Sequence, residues 1–328
     1  MSVMKREIPV NQISGFCIGQ TENEQAGTGC TVIIGRNGMC AGLDIRGGGP
    51  ASRDAGILHP LASAGTINAV VLAGGSAFGL DASGGVMEYL EQRGIGFDVG
   101  VTRVPLVVQS DIFDLTVADP SVRPDRKMGY EAARIAMEAP NYRDGNYGAG
   151  CGATVGKLGG MNTCMKSGIG SYAVELDGLQ IGAVVAVNAL GDIFDWKSGK
   201  KIAGMLTEDG KGFIDSTLFM QRNIKVHENR FVDNTTIGAV LTNASFNKSE
   251  LCKIASMTHN GYARSIRPIH TSADGDSIYA LSSAEIEADI DLVGTLAADV
   301  MADAVARAVR SAVSAYGFTA ASDLDFEL

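Results

Sequence analysis

Residues 228–240 read ENRFVDNTTIGAV. A polar run closes at Asp233-Asn234, two threonines follow, and an apolar run begins. By local chemistry this is a turn entering a buried strand, since Asp and Asn favour turns and Thr, Ile and Val favour strands. The letters Asn234-Thr235-Thr236 also fit the N-x-[ST] glycosylation acceptor. A third reading is a cleavage point that makes Thr235 a new N-terminus. An N-terminal threonine carries its own amine beside its hydroxyl, which is one way to activate a weak nucleophile. A strand start is a place where such a nucleophile is held rigidly.

The whole chain bounds these readings. Its 328 residues are 45 % hydrophobic and 20 % charged, with a mean hydropathy of +0.11. That is a soluble globular composition with apolar material for a large core, and the length suits about two ordinary domains or one layered α/β unit. The 42 glycines are scattered through apolar segments, which implies many tight turns and close backbone approaches. Net charge is −10 and the pI about 4.9. The densest basic spot, DWKSGKK at 195–201, reads as a solvated loop, so no nucleic-acid partner is expected. MSVMKREIPV has no long apolar stretch behind it and reads as no signal peptide. No window reaches the roughly 18 apolar residues of a membrane span, so no membrane association is expected. Cys17, Cys30, Cys40, Cys151, Cys164 and Cys252 contain no CxxC pair and are expected as reduced, mostly buried thiols. A cytoplasmic location follows. It undercuts glycosylation at Asn234 and at the further sequons Asn243 and Asn247.

Short apolar runs at 30–35, 67–74, 179–189 and 236–244 predict buried strands, and 276–283 predicts another. Helical spacing predicts helices over 76–94, 127–139 (ended by Pro140), 247–266 (capped by Asn247 or Ser249) and 289–317. Weak periodicity over 196–230 predicts long loops with partial disorder. The alternation of these elements suggests layered α/β packing, with strands stacked between helices.

Several constellations carry possible chemistry. AGGSAFGLD around Ser76 has the strand–turn–helix setting of a serine nucleophile elbow, but G-x-S-x-G requires glycine where Phe78 stands. His259 and His270 would be the histidines of such a triad. GAGCGATVGK at 148–157 fits neither a Walker loop nor a dinucleotide fingerprint, because Leu158 stands where Ser or Thr is needed and no strand precedes it. By spacing alone Lys157 is a surface lysine. In HTSADGDS, Asp274 and Asp276 read as a polar turn before a strand, too short for a calcium loop. If that strand neighbours the one beginning at Thr235, the two carboxylates meet a threonine hydroxyl and amine.

Taken together, the segments at 41–54, 70–90, 148–157, 184–195, 234–244 and 267–281 resemble the self-processing β-aminopeptidases. That group includes the L-aminopeptidase/D-esterases and the nylon-oligomer hydrolases. The resemblance implies an α/β fold of αββα type, two stacked central sheets flanked by helices. It implies one domain, 1–328, that cuts itself into 1–234 and 235–328 at the Asn234–Thr235 bond. By the same resemblance Thr235 is nucleophile and, through its freed amine, general base. Asn188 stabilises the oxyanion. Lys157, Asp274 and Asp276 match the lysine and carboxylate pair of the nylon-oligomer branch. Thr at 235 and Asp at 274, where the β-aminopeptidase branch has Ser, tilt the chain towards the nylon branch. The implied activity is an N-terminal-threonine amidohydrolase or aminopeptidase acting on small peptides or amino-acid oligomers. It needs no cofactor or metal and works as a homotetramer of cleaved heterodimers. An acyl transferase like the ornithine acetyltransferases, which carry Met-Ala-Thr-Met at the cut where this chain has DNTTIGAV, and a serine hydrolase using Ser76 stay open as alternatives.

Overall fold

The computed structural model describes residues 5–224 and 234–324. Residues 228–233 of the opening stretch, and 225–230 of the expected loop region, lie outside them.

One long strand decides the architecture. In β3 (Thr28–Ile45), residues 28–35 pair with β2 (Phe16–Asn23), and Cys30 to Ile34 pair with β5 (Ile67–Ala73). The β3–β5 register shifts between Ile34 and Met39, and the far end, Cys40 to Ile45, pairs with β10 (Ser277–Ile286). The strand therefore leaves one sheet and enters another. The first sheet runs β2-β3-β5-β6-β4, with β4 at Ala51–Arg53 and β6 at Val107–Asp111. The second runs β1-β7-β8-β9-β10-β3. Its further strands are β1 (Lys5–Ile8), β7 (Ile169–Leu176), β8 (Leu179–Asn188) and β9 (Thr235–Ala244).

Three cores separate four layers. Between the sheets lie Ile33, Val70 and Leu72 from the first, and Val184, Ala186, Ile237 and Ala239 from the second. The alternate residues Val32, Ile34 and Val71 face α1 (Ala82–Glu91) and α2 (Arg126–Glu138). Val185, Val187 and Val240 face α4 (Lys248–Ser265) and α5 (Ile290–Arg310). Side chains alternate across a strand, so strands buried on both faces must be apolar at nearly every position. That is why the runs at 67–73 and 181–187 are continuous. Each fully buried Val, Leu or Ile contributes about 1.5–3 kcal/mol relative to exposure. The fold is thus the αββα sandwich expected.

Each sheet contains one parallel pair, β5–β6 and β9–β10, and parallel strands need a crossover. α1 lies in the first connection and α4 in the second. Asn247 caps α4 with a capping box completed by Glu250. Gly42 lets α4 sit on the second sheet: a Cβ there would lie 2.2 Å from the backbone nitrogen of Cys252. Among the described residues no helix is long and apolar enough to cross a membrane. All six cysteines are free thiols.

Three expectations need correction. The helix placed at 76–94 begins as a 3-10 turn (Ser76–Asp81), with α-helix only over Ala82–Glu91. Gly75 and Ser76 both have left-handed backbone, φ +83° and +52°, which an α-helix does not accept. The last helix ends at Arg310, not at 317. The Asn146 side chain donates to the Val313 carbonyl and accepts its N–H, and Tyr316 and Gly317 are left-handed. The chain is thereby drawn out of the helix. The described part of 196–230 is ordered. It holds a short strand (Lys201–Ala203) and α3 (Ser216–Arg222). Buried Asp192 pins it by accepting from Lys201 Nζ (2.6 Å), Met205 N, Ser216 N and Ser216 Oγ. A single buried carboxylate leaves no periodic signal in sequence.

Candidate active site

Thr235 is the first residue of β9, a central strand of the second sheet. Its Cα partner across the β8–β9 pair is Asn188, the last residue of β8. On its other side the chain enters β10 through Asp274-Gly275-Asp276. The expected residues Asn188, Thr235, Asp274 and Asp276 therefore meet at the head of three adjacent strands. All are buried, Thr235 only 4 % exposed and Asn188 not at all.

Lys157 joins them from the glycine-rich segment, and it is not a surface lysine: it is 7 % exposed. Backbone bonds from Gly156 and Lys157 to Gly191 and Leu190 lay this segment beside the end of β8. Lys157 Nζ then donates to Asn188 Oδ1 (2.6 Å) and to the Asn188 carbonyl (3.2 Å). Asn188 Oδ1 also accepts from Thr154 N (3.0 Å), and Asn188 Nδ2 donates to the Phe113 carbonyl (2.9 Å). A cation on the amide oxygen polarises the amide and makes its N–H groups stronger donors. Beneath the loop, fully buried Lys166 donates to the carbonyls of Gly150, Ala153 and Ser167, one for each ammonium N–H. Burial pushes its pKa down to about 7.

The carboxylates do different work. Asp276 Oδ1 accepts the Thr236 N–H at 2.8 Å, and Asp276 Oδ2 accepts from the backbone N–H and ring Nδ1 of His270. Asp274 Oδ2 accepts the Thr271 N–H at 2.6 Å, while its Oδ1 is buried with no hydrogen bond among the described residues. Burial first, and then the charge of Asp276, push the Asp274 carboxyl up to about 6, with Lys157 pulling the other way. Gly275 packs against Thr235: a Cβ there would lie 2.8 Å from Thr235 Oγ1 and 3.0 Å from the Gly49 carbonyl. The run Arg46 to Gly49 holds the turn from outside through backbone bonds to Asp276, Thr271 and Asp274.

The Thr235 hydroxyl donates to the carbonyl oxygen of Asn234, the bond expected to break. A threonine hydroxyl, a backbone carbonyl, a cation, an amide and two carboxylates thus share one buried space. Such an arrangement suits acyl transfer through an oxygen nucleophile.

Sequence reasoning missed Asp114. It is buried, accepts from Thr28 Oγ1 (2.7 Å) and Gly75 N (2.7 Å), and burial lifts its carboxyl to about 6, again opposed by Lys157. It anchors the Gly75-Ser76 turn next to Phe113. A lone Asp between apolar segments carries no motif that marks it. The two histidines expected for a Ser76 triad are engaged elsewhere: His259 Nε2 lies 3.0 Å from the Asp44 carbonyl, and His270 is held by Asp276.

A model described as peptidase family S58 matches residues 10–323. An uncharacterized aminopeptidase of Mycobacterium leprae is 34 % identical over 94 % of this chain and 91 % of its own length. A 6-aminohexanoate-oligomer endohydrolase of Kocuria sp. is 29 % identical, over 90 % of this chain and 84 % of its own. Among solved structures, a Burkholderia sp. β-aminopeptidase superposes with a TM-score of 0.66 at 17 % identity, covering 97 % of this chain and 92 % of that one. The L-aminopeptidase D-Ala-esterase/amidase of Ochrobactrum anthropi, described as a variant of the Ntn hydrolase fold, gives 0.64 at 18 %, covering 92 % and 86 %.

Proposed function

Because the chain belongs to peptidase family S58 and is a hydrolase, we propose that it is a self-processing amidohydrolase with Thr235 as its nucleophile. Cleavage turns one domain, 1–328, into chains 1–234 and 235–328. The observation that carries this reading is the Thr235 hydroxyl set against the Asn234 carbonyl inside a buried cluster of Lys157, Asn188, Asp274 and Asp276.

In the uncut chain the Thr235 nitrogen is an amide and cannot act as base, so a neighbouring carboxylate must. Asp274, with one buried oxygen unpartnered, takes the hydroxyl proton as Oγ1 attacks the Asn234 carbonyl carbon. The C–N bond breaks, the proton passes to the leaving nitrogen, and an ester remains. Water then splits the ester, leaving the Asn234 carboxylate and a Thr235 with free amine and hydroxyl. That amine, with an ordinary pKa of about 7.7–8.0, becomes the base of the mature enzyme. Thr235 attacks a substrate amide, Asn188 and Lys157 stabilise the oxyanion, the product amine departs, and water releases the acyl group.

Self-cleavage carries a pH signature. Its rate falls about tenfold per unit below pH about 6, as Asp274 takes up its proton. Because folding raises this carboxyl above its ordinary value of about 3.9, the folded state binds more protons than the unfolded one between pH about 4 and 6. Asp274 thus adds stability as pH falls through that window, and a melting curve at each pH separates slowing from unfolding. Timed mass spectra across pH 4–8 read the limb, and a flat profile rules Asp274 out as base.

The substrate class proposed is small peptides and ω-amino-acid oligomers, on the names borne by the relatives. Incubation with 6-aminohexanoate oligomers and with aminoacyl amides, followed by product chromatography with and without ornithine, tests it. An acyl-ornithine product would favour the transferase. The six free thiols support a cytoplasmic site of action. A homotetramer of cleaved units follows from the family resemblance. The exposed Phe97, Val99 and Val101 offer apolar surface for such contacts.

A further inference from the structure

We propose that His270 is a positioning residue for Thr235, acting through Asp276; this rests on Thr235 being the nucleophile. The backbone N–H of His270 (3.0 Å) and its ring Nδ1 (2.9 Å) both approach one oxygen, Asp276 Oδ2. To bring ring and backbone to the same point, His270 takes left-handed backbone, φ +58°. For a residue other than glycine this costs about 1–2 kcal/mol, and such strain collects at functional sites. The other oxygen, Oδ1, holds the N–H of Thr236, the residue that follows the nucleophile. The carboxylate is therefore a clip. One oxygen is fixed by His270, and the other sets the backbone from which the Thr235 side chain projects.

The imidazole is itself walled in. The His259 ring crosses it edge-on with centroids 4.7 Å apart, and the Tyr262 ring lies at 6.2 Å. The other ring nitrogen, Nε2, is buried and makes no hydrogen bond among the described residues. His270 thus touches no reacting atom, and its ring serves to hold Oδ2. Without the ring, Asp276 keeps one backbone donor on each oxygen but loses the third contact, the second of the two that hold Oδ2. A misplacement of about 1 Å by a group remote from the chemistry can cost about 100-fold in rate.

Self-cleavage tests this without any choice of substrate. His270→Gly keeps the backbone N–H and suits the left-handed φ, so it removes only the ring. His270→Asn also tolerates that backbone and places an amide N–H where Nδ1 stood. The expected result is a first-order cleavage rate about 10–100-fold slower for glycine, at a melting temperature close to wild type, and recovery to within about fivefold for asparagine. A glycine variant that cleaves at the wild-type rate overturns the proposal, as does a folded asparagine variant as slow as glycine. Should glycine not fold, His270→Ala is read against asparagine in the same way. Thr235→Ala run alongside separates the two failures: a variant that still cleaves sinks the nucleophile assignment, whatever His270 does.

Discussion

Thr235→Ala should leave one chain of 328 residues and 34.1 kDa under denaturing conditions, where wild type is expected to give 1–234 and 235–328. Alanine removes the hydroxyl that attacks and keeps everything that folds. Thr235 lies at a strand head, and its hydroxyl bonds only to the carbonyl of Asn234 among the described residues. Loss of that bond costs about 0.5–1.5 kcal/mol, so the variant should stay folded. Removal of a covalent nucleophile from a cooperating set typically abolishes almost all catalysis, on the order of 10⁶-fold. Amide hydrolysis should therefore vanish together with cleavage. Intact-mass spectra over prolonged incubation decide the matter. A wild type that stays whole yet hydrolyses amides would show that the mechanism is wrong.

Asn188→Ala should lower kcat of the mature enzyme by about 10²–10³-fold with little change in KM, the usual cost of one oxyanion donor. Its effect spreads beyond the lost N–H. Asn188 Oδ1 is where the Lys157 ammonium rests at 2.6 Å, so alanine also leaves a buried cation without that acceptor. Lys157→Met asks how much of the loss belongs to polarisation of the amide. If the two act as one unit, the double variant is no slower than the worse single variant, and additive losses would separate them. The variants are compared by kcat and KM on protein shown by mass to be cleaved. A kcat for Asn188→Ala within about threefold of wild type would remove Asn188 from the oxyanion role.

Most of the fold is legible along the chain, and the misses share a cause. The strand at 67–73 and the strand segments at 181–187 and 237–241 are apolar at nearly every position because both faces are covered. The helix ends were misjudged where a distant group intervened, as Asn146 does at Val313. The region after Trp196 carries no periodic signal because its order comes from one buried carboxylate, Asp192. Lys157 looked like a surface lysine for the same reason, since its burial depends on how the glycine-rich segment lies beside β8.

The layering is written in the chain alone, because apolar density and spacing mark which segments are strands and helices. Thr235, Asn188, Lys157, Asp274 and Asp276 come as a set only through the family resemblance of the ordered motifs. How these residues touch depends on the folded sheets. Lys157 reaches Asn188 across 31 positions and Asp276 reaches Thr236 across 40. Asp114 and the left-handed His270 enter through contacts that no local pattern marks. The physical reason is range: periodicity and turn chemistry act over a few residues, whereas hydrogen bonds at converging strand heads join residues that only the folded sheets bring together.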